Sequence, residues 1–288
     1  MRQMKQKNKN QVIDPAVVDI VIPVRGRIDL LSRCIEAIPL AFDPYMVNII
    51  VVDNNSKEVE EDVSYLDKIY GSYGNVKSAA TIKLKQNIGY PGACNVGARR
   101  KTSKYIFFLN SDCFLEPGSG KILVDTMNED DEVGVAGMKL LFPDFVTGLD
   151  QSDQIRPKGK LQHIGLSTRI NGTVHHVFVG WNPDHPKVNR VHQVFAVTGA
   201  AMMVRRNLFI KVGGFFEGYG MGTYEDVDLC VTLKKMGYNI IVVPRAVGIH
   251  CTGATAETYK TAYPMQQNAS VFLSRHMNDI EWWDYWLL

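Results

Sequence analysis

One stretch places an acidic side chain where an apolar run breaks off, a second crowds acids into the start of a helix, and a third ends in an imidazole. Lys104 to Phe114, KYIFFLNSDCF, is mostly β-branched or aromatic from Tyr105 and then stops at Asn110-Ser111-Asp112. A buried carboxylate is costly, so one placed where a core strand surfaces normally meets a cation, a hydrogen-bonded ligand or water. Open α/β sheets bind ligands at the carboxyl ends of their strands. Asp112 is therefore a candidate metal or substrate contact; equally, it could cap the next helix. The second stretch, Tyr224-Glu225-Asp226-Val227-Asp228-Leu229, follows a glycine-rich loop and crowds acids into the first turn of a helix. The helix dipole favours acids there, yet three in four residues exceed what capping needs, so at least one is available for chemistry. The third, Val247-Gly-Ile-His250, ends a strand in a histidine.

The elements that must position these groups alternate. Val17 to Val24 reads as a buried strand, and Arg27 to Ile38 carries Leu30, Leu31, Cys34, Ile35 and Ile38 at helical spacing. Asn48 to Asp53 is a second strand ending in a carboxylate. A polar helix over about Lys57 to Tyr70 and a weaker third strand over Thr81 to Gln86 follow. The run NIGYPGACNVG from Asn87 is a turn entering a helix near Pro91, with Gly89 suited to a tight approach. Such a rhythm implies right-handed crossovers and a mainly parallel, Rossmann-like α/β sheet flanked by helices. Asp53, Asn87 and Asp112 then share one sheet edge. Next come a helix near Ser119 to Met127 and a fifth strand over Val133 to Leu140.

Phe142 to about Gln193 reads as an irregular insertion shaping a second substrate's pocket, with a β-like run at Val174 to Val179. Its histidines, His163, His175, His176, His185 and His192, show no metal-ligand spacing and read as surface or hydrogen-bonded groups. Val194 to Val204 is a strand broken at Thr198-Gly199. Asn207 to Val212 is a short helix, and the acid-led helix runs to about Met236. Tyr238 to Val243 and Val247 to His250 are further strands, and Tyr259 to His276 is helical. The resulting division is a disordered tail over 1–16, one unit over 17–258 with halves 17–140 and 141–258, and a helix with an aromatic tail over 259–288.

Net charge is only +2 over 288 residues, which argues against nucleic acid as a partner. Five cysteines without a C-x-x-C pair point to reduced thiols rather than disulfides or structural zinc. No apolar run reaches the ~18 residues of a membrane span, and the lysine-rich start lacks a signal-peptide core. The expectation is a cytoplasmic protein, at most touching the inner membrane face. The aromatic end, EWWDYWLL, suits packing on its own chain or in a homo-oligomer, or contact with a membrane interface.

Seven segments in order resemble the inverting family 2 glycosyltransferases of GT-A fold, in the branch that includes rhamnosyltransferases. They are VDIVIPVRGR, VVDNNS, NIGYPGACNVGAR, FFLNSD, TGAAMMVRR, GGFFEGYGMGTYEDVDLC and VGIHCTGAT, together spanning about Val18 to Thr255. The resemblance implies a GT-A fold with a smaller acceptor-side β region. It implies transfer of one sugar from a nucleotide-diphosphate sugar to a glycan or lipid-linked acceptor, assisted by Mn2+ or Mg2+ held by Asp112 and His250. Nucleoside and donor contacts carry over to Pro23, Arg25, Asp53, Asn87, Asn95, Asn110 and Ser111, with Thr198 and Gly199 lining the donor sugar. Asp226 carries over as the base, and Glu225 as an acceptor contact or loop-orienting group. Three departures stand out: Asn110 replaces the first acid of a strict D-x-D, Arg25 replaces an aromatic or small polar residue, and Q-x-x-R-W is absent. The competing readings are a nucleotidyltransferase, for which VIPVRGRIDLL is a poor glycine-rich signature, and a binding protein that retains the fold without turnover.

Overall fold

The computed structural model describes residues 16–56, 66, 71–145, 147, 157–169, 171–253 and 263–280. The expected helix over Lys57 to Tyr70 lies almost wholly outside those residues, as do the aromatic end and all but the last residue of the expected tail.

Val18–Val24 (β1), Val47–Asp53 (β2) and Tyr105–Leu109 (β4) are buried along their whole length, as near-continuous apolar runs are when both sheet faces are covered. Alternation of side chains divides the core in two. Val18, Ile20 and Ile22 pack with Leu30, Cys34, Ile35 and Ile38 of Ile28–Phe42 (α1). On the other face Val21, Ile50 and Phe108 meet Ala93, Cys94 and Ala98 of Gly89–Ala98 (α2). Ser119–Glu129 (α3) adds Leu123 and Met127 to the first core. The second receives Arg206–Lys211 (α4), Glu225–Lys235 (α5) and Met265–His276 (α6). The result is an α/β/α sandwich.

The other strands are Val76–Lys83 (β3), Cys113–Leu115 (β5), Val133–Leu141 (β6), Leu161–His163 (β7), Leu166–Thr168 (β8), Val174–His176 (β9), His192–Gln193 (β10), Ala201–Arg205 (β11) and Asn239–His250 (β12). The main sheet runs β10-β12-β6-β11-β4-β1-β2-β3, with β5 on β12 and β7 on β6. β4, β1, β2 and β3 are mutually parallel, and β6 is parallel to β12. β11 lies between β4 and β6 and is antiparallel to both. β8 and β9 form a separate hairpin in the insertion.

Several boundaries differ from expectation. The third strand is Val76–Lys83 rather than Thr81 to Gln86: it is an edge strand, half exposed, so its sequence VKSAATIK lacks a core strand's apolar signal. The run Val194 to Val204 is a strand only from Ala201, because Gly199 gives its N–H to a side chain instead of to a neighbouring strand. The two late strands are one twelve-residue β12 whose register shifts between Val243 and Val247, where Pro244 supplies no ladder donor. The C-terminal helix begins at Met265 behind Pro264, and residues 259–262 of the expected helix lie outside the described residues.

At the amino ends of the parallel strands, buried Asp19 accepts from Asn48 Nδ2 at 2.7 Å and Ser103 Oγ at 2.6 Å and pairs with Arg206. That network clamps α4 to β1 at the sheet edge opposite the clefts described next.

Candidate functional site

β4 ends at Leu109, and the Asn110 amide then donates to the Ala200 carbonyl at 2.9 Å. The chain turns into β5, whose Cys113 lies opposite His250 of β12. This register brings Asp112 Oδ1 to 3.2 Å from His250 Nε2, while the Cys251 N–H donates to the Asp112 carbonyl at 3.0 Å. Asp112 caps no helix, since α3 begins at Ser119 behind an N-cap at Gly118.

Gln162 sets the state of His250. Its Nε2 donates to the His250 carbonyl at 2.8 Å, which turns its Oε1 toward His250 Nδ1, also at 2.8 Å. Nδ1 must then carry a proton, and in the neutral ring the Nε2 lone pair faces Asp112 and Asn110 Nδ2, the latter at 3.1 Å. An imidazole oriented this way through its second nitrogen is the usual arrangement of a histidine metal ligand. Among the described residues no three His, Cys, Asp or Glu side chains converge as a complete metal cage. One carboxylate, one imidazole and a neighbouring amide instead suit a hard cation that takes its remaining ligands from phosphate and water.

The acidic side is built by the start of α5. Tyr224 holds φ 73° and its hydroxyl donates to the Gly172 carbonyl at 3.1 Å, turning the chain sharply into the helix. Glu225 is 5% exposed, and its Oε2 is buried with no partner. Burial, and then the neighbouring Asp226 and Asp228 charges, push its carboxyl well above the usual range. Burial raises Asp226 too, but Asp226 accepts from the Gly199 N–H and the Val227 N–H, both at 2.8 Å, and the Thr198 side chain adds to them. Donors aimed at one carboxylate and none at the Oε2 of the other sort the pair: Asp226 is the more readily ionised and Glu225 the more strongly raised. Asp228 is spent on structure. It accepts from the Tyr219 hydroxyl at 2.8 Å, Arg275 Nε at 2.6 Å and His276 Nε2 at 2.9 Å, and its carboxyl lies below the usual range because those partners outweigh burial.

A cleft of about 320 Å³ opens on Asp226, Glu225, Thr198, Gly199 and Asn110. A recess of about 70 Å³ is lined by Pro23, Arg25, Asn54, Asn87 and Met221. Tyr90 and Tyr263 line both. Tyr90 gives its hydroxyl proton to the Gly199 carbonyl at 2.8 Å. Partial burial raises the Tyr263 phenol, Glu225 and Asp112 raise it further, and Arg25 acts against them. One ring thus feels all three parts of the site, although Asp112 and Asp226 stand 114 positions apart in the chain.

The turn at 87–90 is held by backbone. Asn87 Oδ1 accepts the Gly89 N–H at 3.0 Å, and the Tyr90 N–H donates to the Met221 carbonyl at 3.2 Å. Gly89 has φ +77°, and a Cβ there would lie 1.9 Å from the Gly220 carbonyl oxygen. The glycine-rich loop therefore packs directly against this turn.

Two expected residues are placed otherwise. Asn95 does not reach either cleft: its amide donates to Phe215 O and Glu217 Oε1, each at 2.9 Å, and accepts from Phe215 N, pinning the far side of the glycine-rich loop. Asp53 accepts the Ser56 N–H at 2.8 Å, bracing the loop after β2, and its neighbour Asn54 lines the recess. Ser111 is half-buried beside Asp112. Arg27 is occupied at the start of α1 by Asp29 at 2.7 Å and the Thr147 carbonyl at 3.0 Å.

Sequence reasoning did not single out Tyr90, Asn54, Gln162 or Tyr263, and it read His176 only as a surface or hydrogen-bonded group. Tyr90 and Asn54 stand inside quoted motifs, and a polar side chain next to a strand-end acid was the available signal. Gln162 and His176 belong to the insertion, where no spacing foretells their partners. Four of the insertion's five histidines are hydrogen-bonded, as expected: His163 and His176 bond to each other, His185 accepts from the Lys187 N–H, and His192 bonds to the Arg190 carbonyl, whereas His175 Nδ1 is buried with no partner. All five cysteines are buried and free, and among the described residues no helix is long and apolar enough to cross a membrane.

Comparison with known proteins agrees with this architecture. The family model described as Glycosyl transferase family 2 matches residues 19–213. The N-acetylglucosaminyl-diphospho-decaprenol L-rhamnosyltransferase of Mycobacterium tuberculosis is 25% identical over 278 residues, covering 88% of this chain and 82% of that protein. Some other curated relatives are far longer, the chain spanning 25% and 17% of two of them. Two solved structures share the fold at 14% identity. GalNAc-T7 with UDP, GalNAc and Mn2+ superposes with TM-score 0.67, over 90% of this chain and 48% of that one. The mannosyltransferase PcManGT of Pyrobaculum calidifontis with GDP-Man and Mn2+ superposes with TM-score 0.56, over 96% and 81%.

Proposed function

Since this chain belongs to glycosyl transferase family 2, we propose that it moves one sugar from a nucleotide-diphosphate sugar to a hydroxyl of a glycan or lipid-linked acceptor, with inversion at the anomeric carbon. The observation that carries this reading is one cleft that opens on both Asn110, which bonds to His250 beside Asp112, and the paired carboxyls of Asp226 and Glu225. The relatives named above act on a sugar and a diphospho-linked lipid, or were solved with UDP or GDP-Man and Mn2+, which supports a donor of that class.

Each residue then has a task. Pro23, Arg25, Asn54 and Asn87 line the recess that takes the nucleoside, with Asp53 bracing its floor. Asp112 and His250 would hold Mn2+ or Mg2+, which when bound supplies charge neutralisation at the departing diphosphate. Asn110, in place of an acid, leaves that set one negative charge short of two carboxylates. Thr198 and Gly199 line the donor sugar's side of the cleft. Asp226 accepts the proton of the attacking hydroxyl, whose own pKa is far above neutrality. The Gly199 and Val227 N–H groups keep it ionised, and Glu225, being protonated, presents no second charge to repel it. Glu225 in that state donates to the acceptor.

Asp226→Asn is expected to keep nucleotide-dependent thermal stabilisation but to lower kcat/KM for transfer by about 100-fold or more. Transfer by this variant near the wild-type rate would remove the assignment of the base.

A further inference from the structure

Outside these roles, one polar pair, a buried histidine and an exposed one, reaches the large cleft. His163 of β7 is fully buried, and its Nδ1 lies 2.8 Å from His176 Nδ1, the ring planes 84° apart. The Thr198 N–H points at His163 Nε2 at 3.4 Å. An N–H can only donate, so His163 Nε2 is an acceptor and its proton sits on Nδ1. His176 Nδ1 must then accept, which leaves the His176 proton on Nε2. Burial holds His163 well below the usual imidazole range, consistent with a neutral ring. The backbone of the Thr198 turn thus sets the state of a side chain two residues along a hydrogen-bonded chain.

His176 lines the 320 Å³ cleft together with Leu166 and Val174. The hairpin that carries it is fastened to the start of α5, because the Val174 N–H donates to the Tyr224 hydroxyl at 3.3 Å. The cleft therefore presents an apolar wall, a fixed N–H donor and, at Asp226, a fixed acceptor. A pyranose matches this set: its ring C–H face covers apolar side chains, and each hydroxyl both donates and accepts.

We propose that His176, oriented by the His163–Thr198 chain, is a specificity-determining contact that donates its Nε2–H to a hydroxyl of the sugar held in this cleft. The inference rests on the transferase reading for the identity of that ligand as a sugar, but the proton order follows from the fold alone. His163 is a positioning residue that never touches the sugar.

Selective 15N-histidine labelling reads the tautomers directly. At pH 7 we expect His163 as the Nδ1–H form and His176 as the Nε2–H form, each identified by its loss in the corresponding variant. An imidazolium at either position, or His163 as Nε2–H, overturns the proposal. Titration with a panel of methyl pyranosides, including rhamnoside and N-acetylglucosaminide, gives the second arm. The preferred glycoside is expected to bind His176→Phe about 5- to 10-fold more weakly, the cost of one lost hydrogen bond. His163→Leu should weaken binding to a similar extent, whereas His163→Asn, which keeps a donor at the Nδ1 position, should restore most of it. Equal binding by wild type and His176→Phe, or no pyranoside binding by wild type in the millimolar range, overturns the contact. Failure of the broader reading looks different: no turnover with any nucleotide sugar, with the tautomers and the saccharide binding intact.

Discussion

Gly89 and Gly118 offer a matched pair. Both hold φ +77°, but a Cβ on Gly118 meets nothing within 4 Å, whereas one on Gly89 would lie 1.9 Å from the Gly220 carbonyl oxygen and 3.2 Å from Met221 Cα. Alanine at either site costs about 1–2 kcal/mol for the left-handed backbone. At Gly89 the 220–221 loop must also retreat by about an ångström, since overlapping atoms cannot be compressed. Overpacking of this kind costs about 1–3 kcal/mol. The retreat further strains the 3.2 Å bond from the Tyr90 N–H to the Met221 carbonyl, a group worth about 1 kcal/mol. The expectation is a loss of about 3–6 kcal/mol for Gly89→Ala against about 1–2 for Gly118→Ala. Urea unfolding at constant m reads the difference as a shift in midpoint. Because the same contact shapes the wall between recess and cleft, Gly89→Ala should also lose most nucleotide-dependent stabilisation, while Gly118→Ala keeps it. Equal stability losses in the two variants would refute the claim that turn and loop are in backbone contact.

Glu225→Gln tests the shared proton. The folded carboxyl is raised above its unfolded value of about 4.5, so it costs nothing below that pH and increasingly destabilises the fold as pH rises toward the folded pKa. The variant should therefore melt higher than wild type at pH 8 and no higher at pH 4; the same difference at both values would contradict the assignment. Asp228→Asn, which leaves Arg275 and His276 facing a neutral amide, should cost about 3 kcal/mol at pH 7. The wild-type contribution from this depressed carboxyl is present above its unfolded pKa and lost as pH falls through the folded one, so the gap between the two proteins should close in acid. Gln162→Leu frees His250 Nδ1, and Mn2+-dependent nucleotide binding measured by calorimetry should weaken about 10- to 100-fold; an unchanged affinity would remove His250 from the cation site.

What could be read from the chain beforehand depended on where the signal lay. β1, β2, β4 and α1 announce themselves because an apolar side chain at each period is needed to fill the core, and that demand is local. The edge strand β3 buries too little to leave such a trace, so its position slipped. Asp112 and His250 stood out because a polar group at the end of an apolar run is itself anomalous, whereas Pro23 and Asn87 took their roles only from the family resemblance; both line the recess. Asn95 misled for a related reason: a buried polar residue on α2 looks the same in sequence whether it serves a ligand or, as here, the backbone of Phe215. The three acids of α5 could not be sorted beforehand either. Their fates depend on partners up to about fifty residues away, the Gly199 N–H for Asp226, Arg275 and His276 for Asp228, and no partner for the Glu225 Oε2.

The reversal of β11 is what closes the site, and it was invisible in the pattern of residues. A wholly parallel sheet would deliver only strand C-termini to this edge, with the N-terminus of each strand on the far side. β11 runs against β4, with Ala201 opposite Leu109, so the residues before its start fall beside those after the end of β4. Thr198, Gly199 and Ala200 thereby reach Asn110, and Gly199 can offer its N–H to Asp226 because no strand neighbour claims it. β5 repeats the device against β12 and brings Asp112 to His250. Asn110, which bonds to His250 beside Asp112, and the Asp226 carboxylate come to one cleft because two short strands enter the sheet backwards. Lengthening β11 by one residue at its start would therefore do more harm than loss of any one side chain there, since it would turn the Gly199 N–H from Asp226 into the ladder. An inserted alanine between Ala200 and Ala201 should abolish transfer while leaving the buried β4–β11 pairing, and hence most of the stability, in place; retained turnover would show that the Gly199 donor is dispensable.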